Sequence, residues 1–221
     1  MGEPRAAAPC CRACVNMKPE DKALLIEIYS RSLAHFGDTA EAVKWTELSQ
    51  RYRFKILTEI ADLETTKLLD YGCGKGDLFQ YLLEGGFRGS YTGFDINPEL
   101  IDLARNKFPA ARFELRDIEL DTVDEHFDYV LISGVFNNRI SDNGGMMRSL
   151  LPRCFSLAER GMSFNAISTY VNFREPEMFY TNPEETFSFC MTQLSSLVTL
   201  RHDNIPRNFT VYVYRKPEWR R

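Results

Sequence analysis

Residues Leu68 to Asp77, Leu-Leu-Asp-Tyr-Gly-Cys-Gly-Lys-Gly-Asp, constrain this chain more than any other stretch. An apolar strand breaks into glycines at 72, 74 and 76 and gives way at Asp77 to a helical pattern. Strand, tight turn and helix in succession begin a βαβ unit, because parallel strands need a crossover connection and that connection is right-handed. Gly72 and Gly74 let the backbone turn sharply and approach a ligand with no Cβ in the way.

The rest of the chain repeats this alternation of periods. Residues 20–34 read as a helix with Leu24, Leu25, Ile28 and Leu33 as its apolar stripe, followed by a break at His35-Phe36-Gly37-Asp38. Residues 44–62 read as a second helix with Phe54, Leu57 and Ile60 inward. Strands are expected at 67–71, 90–95, 112–116, 127–133 and 161–167, the fourth apolar enough to be covered on both faces. Between them lie a helix at 77–84, a helix capped by Asn97 with Pro98 at its first position, and a helix at 144–159 that Pro152 is expected to kink or split. A polar and aromatic stretch at 168–182 leads to a helix at 183–193. The strands at 197–202 and 208–214 are joined by Asp203 to Arg207, too short for a parallel crossover, so they form an antiparallel hairpin. The predicted fold is α/β: a doubly wound, seven-stranded, Rossmann-like sheet with an antiparallel last strand and an N-terminal helical lid. Residues 1–16 read as a disordered leader, 17–64 as the lid and 65–221 as the ligand-binding domain. Met17 is a candidate start, since the helical pattern begins just after it.

Doubly wound sheets bind ligands at the carboxyl ends of their strands, and four segments here end that way. Asp70 closes the first strand, Asp95 the second with Ile96 beside it, Asp117 the third with Ile118, and Ser133 the fourth. A nicotinamide dinucleotide would ask for Gly-x-Gly-x-x-Gly, but position 77 is Asp. A pyrophosphate also wants a helix N-terminus free of carboxylates. S-adenosylmethionine (SAM) has no phosphate, and its amino and sulfonium groups are cationic, so the acidic positions favour it. In that reading Asp95 accepts from the ribose hydroxyls, Ile96 packs on adenine, and Asp117 accepts from the adenine amino group. Any one of these Asp residues alone is more often just a turn residue or cap; their order along the sheet makes the case.

The 221 residues carry a formal net charge of −4 and no dense Lys/Arg cluster, which disfavours nucleic acid as a partner. No apolar run approaches the roughly 20 residues of a membrane span, and the N-terminus lacks the apolar core of a secretory signal, so the expected location is the cytoplasm. Cys10, Cys11 and Cys14 crowd together, but a zinc site needs further ligands and no second pair exists, so no metal is expected.

With these motifs the chain resembles the class I SAM-dependent methyltransferases over about residues 65–215. The Asp-x-Gly-x-Gly-x-Gly turn and the two downstream Asp positions carry the resemblance. The segments Ser133 to Asn137 and Phe164 to Tyr170 look like those of bacterial small-molecule or uncharacterised methyltransferases. The Asn/Asp-Pro-Pro-Tyr signature of amino-methylating DNA enzymes is missing after the fourth strand. The implied activity is in-line transfer of a methyl group from SAM to an oxygen, nitrogen or carbon of a small metabolite. Arg53 is the candidate for the methionine carboxylate, and Tyr29 and Trp45 for the lid side of the acceptor pocket. Phe136, Asn137, Asn165 and Tyr170 are candidates for acceptor contacts. His35 and His202 are candidate general bases. Two alternatives stay open: a SAM-binding regulatory or interaction protein without methyl transfer, and an aminopropyl transferase.

Overall fold

The computed structural model describes residues 16–203 and 205–216. Helix α1 (Pro19–Phe36) and a short 3₁₀ turn (Ala40–Val43) precede α2 (Glu47–Thr58). The αβ core follows as β1 (Lys67–Tyr71), α3 (Asp77–Glu84), β2 (Ser90–Asp95), α4 (Pro98–Lys107), β3 (Arg112–Leu115), β4 (Phe127–Ile132), α5 (Asn143–Ser156) and β5 (Ala158–Ile167). It closes with α6 (Pro183–Gln193), β6 (Val198–Arg201) and β7 (Asn208–Tyr214). The seven strands run in the order β3-β2-β1-β4-β5-β7-β6. Strands β1 to β5 pair in parallel, and β7 lies antiparallel between β5 and β6. This is the expected doubly wound sheet with its antiparallel strand.

The sheet divides the core as its pleat requires. Leu69 and Tyr71 of β1 and Val130 and Ile132 of β4 join Leu150, Leu151 and Cys154 of α5 on one face. Their neighbours Leu68, Tyr129 and Leu131 join Phe54 and Leu57 of α2, Leu78 of α3 and Ile101 of α4 on the other. Both faces are covered, which is why β1 and β4 read as nearly unbroken apolar runs.

Three expectations are corrected. The second helix does not begin at residue 44: Lys44 takes a left-handed conformation (φ +64°), and Thr46 caps α2 by accepting from the Ser49 N–H. Trp45 is thereby left outside any helix. Nor does Pro152 split α5, which runs through it without a break. The lost bond falls at Arg148, an exposed position where solvent can replace the donor, while Leu150, Leu151, Cys154 and Phe155 hold the helix by burial. The face α1 turns inward is also less apolar than its sequence suggests. Leu24 is exposed, and the buried residues are Asp21 and Leu25. The helix places Leu25 against the core and Leu25, Ile26, Lys22 and Tyr29 along a cavity. Among the described residues no helix is long and apolar enough to cross a membrane.

Candidate active site

The carboxyl ends of β1, β2 and β4 meet beneath α1 and the 3₁₀ turn. After β1, the Gly72 and Cys73 N–H groups both donate to the Phe94 carbonyl, folding the glycine turn onto the end of β2. Gly72 has φ +76°, and a Cβ there would stand 2.3 Å from Cγ2 of Val135 in the loop after β4. Only glycine fits. Asp95 knits the turn further, accepting from Gly74 N–H at 2.8 Å and from Asn97 N–H at 2.8 Å. Burial pushes its carboxyl up despite these backbone N–H bonds.

Asp70 is more extreme. It is 2% exposed, and among the described residues its side chain accepts from the Tyr91 hydroxyl at 2.6 Å and no other group. Burial outweighs that bond and pushes its pKa up to about 7, with Asp95 and Asp77 adding repulsion. A carboxylate held this way wants a cation.

The lid is fastened by four polar links. Asp21 accepts from the N–H and hydroxyl of Ser141. Lys22 reaches Asp117 and, at 2.9 Å, Glu119. Burial works against the Lys22 ammonium, yet the two carboxylates outweigh it and hold its pKa above the ordinary value. Asn97, the cap of α4, also donates its amide to the Ile26 carbonyl and to the Ser30 hydroxyl. Asn138 donates to the Tyr29 hydroxyl at 2.7 Å and accepts from Lys44 at 3.1 Å. Burial pushes the Tyr29 hydroxyl up to about 12, so it stays protonated.

The cavity between lid and sheet, with its mouth, holds about 1060 Å³ of empty space. Of the residues singled out in the sequence, Tyr29, Trp45, Asp70, Gly72, Gly74, Asp95, Ile96, Asp117 and Ser133 line it. Eight others do not. Ile118 is buried in the core beside Asp117. Phe136 packs edge-on against Phe164. Asn165 accepts from Gly134 N–H and donates to the Ser133 hydroxyl, so it shapes the loop after β4 from behind. Asn137 accepts from Ile167 N–H. Arg53 lies behind Trp45, its guanidinium 3.7 Å from the indole centroid. Tyr170 is exposed and bonds to Glu184. His35 is exposed at the end of α1 against Phe36. His202 bonds to the Ser168 hydroxyl at 2.8 Å and stacks on Phe209.

The cavity also has wall residues that sequence reasoning passed over: Lys22, Gln50, Lys75, Glu119 and Asn138. Lys75, 3% exposed, pairs with Asp77 and Asp38, and Gln50 donates to Asp77 at 2.8 Å. A lysine inside a glycine turn was the one available signal. Cys10, Cys11 and Cys14 lie outside the described residues. Among the described residues, Cys73, Cys154 and Cys190 are free and buried, and no cluster of His, Cys, Asp and Glu is placed to hold a metal ion.

An apolar-floored, acid-lined cavity at the strand ends of a 3-2-1-4-5-7-6 sheet defines the class I methyltransferase architecture. The profile of the family described as "Methyltransferase domain" matches residues 62–198, and the chain belongs to this family, within the class I SAM-dependent superfamily. A Mycobacterium tuberculosis protein named as a methyltransferase is 31% identical over 150 residues, 65% of this chain and 90% of that protein. A malonyl-[acyl-carrier protein] O-methyltransferase of Acetivibrio thermocellus is 23% identical over 218 residues, 88% of this chain and 73% of that protein. The crystal structure of magnesium protoporphyrin IX methyltransferase from Synechocystis with bound SAM shares the fold with a TM-score of 0.64 at 14% identity, over 91% of this chain and 100% of that one.

Proposed function

We propose that this chain transfers the methyl group of SAM to an oxygen, nitrogen or carbon of a small molecule by in-line displacement. The observation that carries the reading is the order of acids along one wall: Asp70, Asp95 and Asp117 all line the same covered cavity. The donor set fits SAM. Asp70, buried and poorly solvated, faces a cavity where an ammonium or sulfonium would relieve it. Asp95 keeps acceptor capacity for ribose hydroxyls after its two backbone bonds. Ile96, Leu100 and Met17 give adenine an apolar bed, and Asp117 its polar edge. Ser133 to Val135 border the methionine end.

Bound SAM supplies a methyl group already activated by its sulfonium. What remains for the protein is alignment and exclusion of water, which for well-oriented partners can be worth effective molarities of roughly 10⁵ to 10⁸ M. The α1 lid performs the exclusion through its four polar links. Trp45 and Tyr29 line the lid side of the acceptor space. On the sheet side Asn165 fixes Ser133 and Gly134, and Phe136 braces the loop from the core. A nucleophile that arrives protonated needs a base within reach. Neither candidate base lines the cavity: His202 bonds to the Ser168 hydroxyl and stacks on Phe209, and His35 lies at the exposed end of α1, so the base is assigned to neither. A small-molecule acceptor agrees with a cleft partly covered by α1 and a negative net charge.

The test is a screen of small metabolites with purified protein and SAM, read by release of S-adenosylhomocysteine (SAH). Turnover of at least one small acceptor is expected. SAH release only with nucleic acid or protein acceptors refutes the substrate class.

A further inference from the structure

One lid side chain reaches the cavity with a hydrogen-bond acceptor left open, and its neighbours fix which atom that is. Gln50, in the first turn of α2, is 8% exposed and lines the cavity wall. Its Nε2 donates to Oδ2 of Asp77 at 2.8 Å, while Lys75 holds the other oxygen, Oδ1. An ion-paired carboxylate only accepts, so the amide presents its NH₂ to Asp77 and cannot be turned round. The backbone N–H of Gln50 is spent on the Thr46 carbonyl at 2.9 Å. What remains is Oε1, and among the described residues no group donates to it.

The charge around this carbonyl narrows what can complete it. Asp70 and Asp77 stand on the cavity wall at the two ends of the glycine turn. Among the described residues the wall carries two lysines, and both are already paired: Lys22 with Asp117 and Glu119, Lys75 with Asp77 and Asp38. An anion arriving here meets acids and no unpaired cation. A neutral donor satisfies Oε1 and leaves Asp70 unrelieved. A cation that also donates answers both needs. SAM has two cationic centres, and the sulfonium has no N–H or O–H to give. Only the α-ammonium matches.

We propose that Gln50 receives the α-ammonium of SAM through Oε1, which makes the lid specific for a cofactor with an intact amino-acid head. The proposal rests on the methyl-transfer reading above. Gln50 then ties α2 to the core twice, through Asp77 and through the ligand. An ammonium could also come from the methyl acceptor; the place of Gln50, bonded to the first residue after the glycine turn, favours the cofactor.

The test is isothermal titration of the full chain, wild type and Gln50→Met, with no acceptor present. The ligands are SAH, its desamino analogue and its decarboxy analogue. Gln50→Met keeps the length of the side chain and removes its carbonyl. Losing a hydrogen bond to a charged group is expected to weaken SAH about tenfold. The decarboxy analogue should weaken by a similar factor and the desamino analogue less than twofold. Equal losses for all three ligands make Gln50 a structural residue and overturn the proposal. A loss that persists with the desamino analogue and vanishes with the decarboxy one assigns Gln50 to the carboxylate and overturns it too. Unchanged SAH affinity does the same, since the ammonium is then held elsewhere. If Gln50→Met does not fold, the Gln50 Cδ resonance of the wild type decides: it should move with SAH and not with the desamino analogue, and equal movement with both refutes the assignment. If wild type binds no SAH at all, the failure belongs to the methyl-transfer reading.

Discussion

Asp70→Asn is expected to stabilise the ligand-free protein while weakening cofactor binding. The Asp70 carboxyl titrates at about 7 in the folded chain because of burial, against 3.8 for an unperturbed aspartate. Each tenfold change in proton affinity is worth about 1.4 kcal/mol, so the ionised side chain destabilises the fold by at most about 4 kcal/mol. Because the folded-state pKa is raised, the folded chain keeps a proton that the unfolded chain has lost between about pH 4 and pH 7. Stability therefore falls as pH rises through that window and is level above it. An asparagine has no charge to desolvate, and its Oδ1 can still accept from the Tyr91 hydroxyl. Urea unfolding without ligand at pH 5 and pH 8 is the assay. Asp70→Asn should exceed wild type by up to about 4 kcal/mol at pH 8 and by less than about 2 kcal/mol at pH 5. With saturating SAM the order should narrow or reverse at pH 8, since the wild-type carboxylate gains a cationic partner. A gain that does not grow between pH 5 and pH 8, or a loss at pH 8, refutes the reasoning.

Three further outcomes follow from the same structure. Lys22→Met leaves Glu119, 1% exposed, and Asp117 without their shared cation; a loss of about 3 kcal/mol is expected by chemical denaturation, recovered in part by adding Glu119→Gln. Gly72→Ala forces a Cβ into Val135 at a positive φ; it should cost about 2 to 4 kcal/mol and abolish the thermal shift given by SAM in wild type. Tyr29→Phe removes one hydrogen bond to Asn138; a loss of about 1 kcal/mol in the melting equilibrium is expected, with faster SAH dissociation by stopped flow as the lid loosens.

The fold was legible because its signals are local. The apolar runs of β1 and β4, the glycine turn between them in space, and Asn97 followed by Pro98 each declare an element within a few residues. The acids at 70, 95 and 117 were legible because strand ends in such sheets share one edge. The N-terminal helix of the lid was legible too, but its fastening was not, because that is non-local. Lys22 and Glu119 are 97 positions apart in the sequence, and no periodicity says that α1 turns an aspartate and a lysine inward. Trp45 leaves its helix because Lys44 is left-handed and Thr46 caps the next turn. Thr46 was a visible cap signal that the apolar pattern of 44–62 outweighed. Asn165 illustrates a different limit. It reads from the sequence as a candidate for acceptor contact, but its amide is spent on Gly134 and Ser133, partners that no local pattern announces.

The central claim is that the acid-lined cavity under α1 binds SAM. Isothermal titration of SAM and SAH into wild type and Asp95→Ala tests it most directly. One-to-one binding in wild type, and at least a tenfold loss in Asp95→Ala without loss of fold, is the predicted result. No heat of binding and no thermal shift in wild type at millimolar ligand, where mass action should stabilise any competent site, would contradict it.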